Sequence, residues 1–144
     1  MGRILAIDYG KKRVGLAVTD PLHLFATSIG TVQTNDVFIF IDNYLQNEQV
    51  DAFVVGEPRT LMNEPSESHE ITGAFVSKLQ KKHPSIPIHR VDERFTSKIA
   101  FQTMIDGGLK KKDRQNKALV DSISATLILQ TFLSQESFNK QNAR

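Results

Sequence analysis

The stretch "RILAIDYGKKRVGLAVTD", residues 3–20, decides how the rest of the chain is read. Two apolar runs, residues 4–7 and 14–18, are separated by Tyr9, Gly10 and a basic triplet. Runs of this length and composition predict strands, and the short Gly-containing connection predicts that they pair antiparallel. The first run contains no polar side chain, which predicts a strand buried on both faces. Such a strand has no structural need of a carboxylate at its end, yet Asp8 stands there.

Working outward, residues 26–33 read as a third, weaker strand. Thr34, Asn35 and Asp36 can cap a helix whose apolar stripe includes Phe38, Ile41 and Leu45. "DAFVVG", residues 51–56, is a further buried strand, followed by the proline-punctuated loop "EPRTLMNEPSES". Ser66 can cap a helix carrying Ile71, Phe75 and Leu79, closed by His83 and Pro84. "IPIHRVDER", residues 86–94, is a fifth strand. A helix beginning at Thr96 or Ser97 stops at Gly107 and Gly108. The basic segment "LKKKDRQNK" leads into a last helix over residues 116–133, and the polar end beyond it is read as frayed. Three early antiparallel strands followed by alternating helices and strands imply a five-stranded mixed α/β sheet flanked by helices. Residues 1–135 are expected to form one domain, with 136–144 as a polar tail.

Composition narrows the classes. The chain has 144 residues, 40% of them hydrophobic and 24% charged, as in an ordinary globular protein. It has no cysteine, which excludes a disulfide framework and thiolate metal sites. No secretory signal or membrane span is apparent, and a cytoplasmic location is expected. A net charge of +2 gives no global attraction to nucleic acid, so any such binding must rest on a local basic patch. His23, His69, His83 and His89 lack metal-ligand spacing.

In mixed sheets, sites form at the carboxyl ends of the parallel strands. Asp8, Glu57 and Glu93 all fall near that edge. Individually each has a plain explanation, since Asp before Gly suits a turn and an acid suits a helix entry. Asp8 is set apart by Gly10, Lys12, Arg13 and Gly15, a pattern that suits phosphate. Asp121 shares a helix stripe with Ala125, Ile128 and Phe132. A carboxylate on that stripe is costly unless paired, for example with Arg94, or bound to a cation. If Asp8, Glu93 and Asp121 meet, a hard ion such as Mg²⁺ or Mn²⁺ resolves their repulsion.

The motifs "AIDYGKKRVGLAV", "FVVGEP", "VDERFTS" and "VDSISA", in this order, resemble those of the YqgF/RuvX family of Holliday-junction-resolvase-like proteins. The resemblance runs from Ile4 to Leu133. It implies a ribonuclease-H-like fold and metal-dependent phosphodiester hydrolysis, with precursor ribosomal RNA as the substrate and RNA favoured over branched DNA. It places Asp8, Glu93 and Asp121 at the family's catalytic and metal-binding positions. It places Gly10, Lys12, Arg13, Gly15, Arg94, Thr96 and Ser97 around the phosphates. Glu57 departs from the family, which commonly has an apolar residue before that proline; Glu57 and Asp92 are lesser ligand candidates. A Holliday-junction DNA resolvase and a non-catalytic nucleic-acid-binding or ribosome-assembly module stay open as alternatives. An actin-like ATPase shares the opening hairpin but needs a second domain. Monomer and homodimer are both compatible with the sequence.

Overall fold

The computed structural model describes residues 2–57, 67–92 and 117–142. Strands β1 (Arg3–Tyr9), β2 (Arg13–Thr19) and β3 (Ala26–Gln33) come first, followed by a 3-10 turn (Thr34–Asp36) and helix α1 (Val37–Asn47). Strand β4 (Val50–Glu57), helix α2 (Glu67–Lys82), strand β5 (Ile88–Asp92) and helix α3 (Lys117–Asn142) complete the described elements. The sheet order is β3-β2-β1-β4-β5. β1 pairs antiparallel with β2 and parallel with β4; β2–β3 is antiparallel and β4–β5 parallel. This is the mixed sheet expected from the strand pattern.

Two cores, one on each face, hold the layers together. Leu5, Ile7, Val14, Leu16, Phe53 and Val55 pack with Val37 and Ile41 of α1 and with Phe75 and Leu79 of α2. On the other face Ile4, Ala6, Ala17, Val54 and Val91 pack against Ala125, Ile128, Leu129 and Phe132 of α3. Successive residues of β1 therefore serve opposite cores, as the period of a strand requires. Ile4 to Ile7 are all buried, matching the doubly covered strand predicted for them. Each large side chain so buried contributes about 1.5–3 kcal/mol.

Several boundaries differ from the expectations. Residues 34–36 form the 3-10 turn, and Asp36 at the α1 N-cap makes no side-chain capping bond. β5 begins at Ile88, because Ile86 donates to the His83 carbonyl in a turn and Pro87 uses its own carbonyl to accept from Phe53. α3 continues to Asn142 and does not end at Leu133. Residues 134–142 hold no glycine or proline to break the helix. The expected helix after Thr96 and the Ser66 cap lie outside the described residues. No helix among the described residues is long and apolar enough to cross a membrane.

Candidate functional site

Alternation along β1 settles where Asp8 stands. Ile4 and Ala6 belong to the α3 core and Leu5 and Ile7 to the other, so Asp8 falls on the α3 face. It is half-buried. Its partner across the antiparallel ladder is Gly15, a residue with no side chain to crowd it. On α3, Ala125, Ile128 and Phe132 are buried against the sheet, as their spacing predicts. Asp121 occupies the position one turn before Ala125 in the same helix. Its side chain lies outside those described, as do Glu93, Arg94, Thr96 and Ser97 entirely. Among the described residues, no three His, Asp or Glu side chains stand close enough together to hold a metal ion.

The two lesser acids stand elsewhere. Glu57 ends β4 with Phe53 and Val55 on its own face, the α1–α2 side. Its carboxylate Oε1 lies 3.1 Å from Nε2 of His69 in α2, both side chains about a quarter exposed. Asp92 pairs with Glu57 in the β4–β5 register and follows Val91 of the α3 core, so alternation turns it to the α2 side as well. Asp8 and Glu57 thus share an edge of the sheet but not a face. The edge was legible in the sequence; the face depends on register.

The turn after Asp8 is held by the protein itself. A Cβ on Gly10 would lie 2.7 Å from the Arg13 carbonyl oxygen, closer than real contacts permit, so Gly10 is required by the hairpin itself. Thr34 Oγ1 donates to the Gly10 carbonyl at 2.6 Å, and the Thr34 N–H donates to the Lys12 carbonyl at 3.1 Å. Lys11 and Lys12 are exposed and Arg13 half-buried. Together with residues 31–35 they line a groove of about 560 Å³. In the sequence only the turn itself is marked. The part played by β3 and the 3-10 turn had no local signal, because it follows from strand pairing.

Tyr9, next to Asp8, turns the other way and stacks on Phe75 with ring centroids 4.3 Å apart. Burial there pushes its phenol above the ordinary 10.0. The histidines all have structural partners. His23 bonds the Gly2 carbonyl, His83 bonds Asp42, and His89 packs on Phe132.

Known proteins share this fold and much of this sequence. A relative from Phocaeicola vulgatus, named "Putative pre-16S rRNA nuclease", is 54% identical over 96% of this chain and 99% of its own. One of the same name from Christiangramia forsetii is 55% identical over 92% of this chain and 98% of its own. Among solved structures, RuvC of Thermus thermophilus in complex with a Holliday junction substrate superposes with a TM-score of 0.56 at 18% identity. That match covers 94% of this chain and 96% of RuvC. The fowlpox virus Holliday junction resolvase gives a TM-score of 0.51 at 13% identity, over 93% of this chain and 98% of its own. At these identities the likeness concerns the fold, which is that of RuvC-like, ribonuclease-H-type resolvases. The family model described as "RuvX: Holliday junction resolvase" matches residues 2–135, and the chain belongs to that family.

Proposed function

We propose that this protein is a divalent-metal-dependent endonuclease that hydrolyses phosphodiester bonds of precursor ribosomal RNA, at the 5′ end of pre-16S rRNA, in the cytoplasm. The observation that carries the reading is the position of Asp8: a half-buried carboxylate on the face covered by α3, the helix that contains Asp121. The names of the half-identical relatives support the substrate class.

Carboxylate oxygens are hard donors and fit Mg²⁺ or Mn²⁺. In this reading Asp8, Glu93 and Asp121 hold the metal, with Asp8 central. When bound, such ions supply Lewis acidity, lowering the pKa of water and neutralising charge on the phosphoryl and leaving oxygens. The chain's own residues position the strand. Lys12, Arg13 and Arg94 contact phosphate oxygens, contacts that place the scissile bond without reading sequence. Gly10 and Gly15 permit close approach of the strand, and Thr96 and Ser97 belong to the same phosphate-binding set by the family resemblance. Glu57 and Asp92 are left out of the ligand set, on the ground of the face they occupy.

The test is cleavage of a precursor 16S rRNA fragment by purified protein in Mn²⁺ and in chelator. Cleavage in the metal alone is expected, and its loss in Asp8→Asn with the fold intact. Full activity of that variant would refute the assignment. A second reading, a Holliday-junction resolvase, has support from the family description and from the RuvC likeness. It requires symmetric paired cuts by a homodimer. Cleavage of a four-way junction in preference to the RNA, by a protein sedimenting as a dimer, would favour it.

A further inference from the structure

We propose that the groove beside the β1–β2 turn holds a single-stranded stretch of the substrate RNA adjoining the scissile bond. Its phosphates lie on Lys11, Lys12 and Arg13, and its 2′-hydroxyls and base edges on Gln33 and Asn35. The identity of the strand rests on the nuclease reading; the groove itself rests on geometry.

Register places Arg13, Thr31 and Gln33 of the groove on the same face as Asp8, while Val32 packs into the opposite core. Asp8 pairs with Gly15 and Gly15 with Thr31, so the three form one row across β1, β2 and β3. Arg13 and Gln33 form the next row on that face, toward the turn. With strands about 4.8 Å apart, Thr31 stands roughly 10 Å across the sheet from Asp8. That span suits nucleotides flanking a bond cleaved at Asp8.

The lining is chemically one-sided. Lys11–Arg13 form one wall and residues 31–35 the other, with three cations and no acid among them. Among the described residues, the polar ends of Lys12, Thr31, Gln33 and Asn35 make no hydrogen bond or ion pair within the fold. The cations attract any phosphate, whereas the amides of Gln33 and Asn35 each offer both donors and an acceptor. Amides of that kind suit sugar hydroxyls and the exposed edges of unpaired bases. The walls are preset, because Thr34 ties the turn to the far wall through its bonds to Gly10 and Lys12. A groove held in this way loses little freedom on binding.

The test measures binding of a fluorescent single-stranded RNA oligonucleotide, and of DNA of the same sequence, in chelator so that neither is cut. Lys11→Gln/Lys12→Gln is expected to lower the log–log salt slope of RNA binding by about 1.4, at roughly 0.7 per single-strand phosphate contact. Gln33→Ala/Asn35→Ala is expected to weaken RNA binding about tenfold and leave the salt slope unchanged, reducing the preference for RNA over DNA. Circular dichroism melts confirm that both variants fold. Wild-type affinity in the amide variant, or an unchanged slope in the lysine variant, would overturn the proposal. Hydrolysis of bis(p-nitrophenyl) phosphate by the unaltered protein in Mn²⁺ reports separately on the nuclease reading. Its absence would sink that reading and leave the binding test decisive for the groove.

Discussion

Asp8 and Glu57 end neighbouring parallel strands and stand on opposite faces of the sheet, the first toward α3 and the second bonded to His69 of α2. The two acids face different surroundings, and under the nuclease reading their removal has opposite consequences.

Asp8→Asn keeps the size and shape of the side chain and removes its charge. The folded state should persist, with a far-ultraviolet circular dichroism spectrum like that of the wild type. Metal-dependent diester hydrolysis should fall by at least about 100-fold, the loss of several kcal/mol of transition-state stabilisation. Steady-state rates in Mn²⁺ measure this directly.

Glu57→Gln should leave the rate in Mn²⁺ within about twofold of wild type, because Glu57 and Asp8 lie on different faces of the sheet. Its cost falls on stability. The pair with His69 spans 3.1 Å but is partly exposed, so about 1 kcal/mol or less should be lost in urea unfolding. A large loss of rate at unchanged stability would return Glu57 to the ligand set.

Gly10→Ala forces a methyl group to 2.7 Å from the Arg13 carbonyl oxygen, a backbone atom that cannot swing aside. The turn must open, at a cost of about 1–3 kcal/mol, and the melting temperature should drop by about 3–10 °C. Opening the turn also strains the Thr34 bond to Gly10, so RNA affinity should fall with it.

The loop after β2 should respond to acid. The Asp20 carboxylate accepts the N–H groups of Leu22, Leu24 and Phe25 at 3.0, 2.9 and 2.7 Å, and holds His23 in a left-handed conformation (φ 58°) between them. The Phe25 bond leads these in holding the carboxyl below its ordinary 3.8. The folded state thus favours the ionised form. The loop's share of stability is present above the ordinary value and declines as pH falls through and below it. Protection of the Leu24 and Phe25 amides, taken relative to the unstructured exchange rate at the same pH, should be higher at about pH 6 than at about pH 3, and Asp20→Ala should abolish it at both. Leu22 and Phe25 are 63% and 71% exposed, so no core hides the effect.

Period and punctuation in the sequence were enough to place five strands, their order of appearance and the apolar stripes of the helices. Local chemistry determines those features. An unbroken run such as Ile4 to Ile7 has to be covered on both sides, and Ala125, Ile128 and Phe132 have to share a helix face. The same local chemistry sets Asp8 apart, as a carboxylate at the end of a buried strand followed by glycines and basic residues. Three things were decided only by tertiary structure: that Glu57 and Asp92 lie off Asp8's face, why Gly10 must be glycine, and how the turn and the end of β3 enclose a basic groove. Each depends on strand register and on contacts between residues distant in the chain, where a shift of one position turns every side chain to the opposite face.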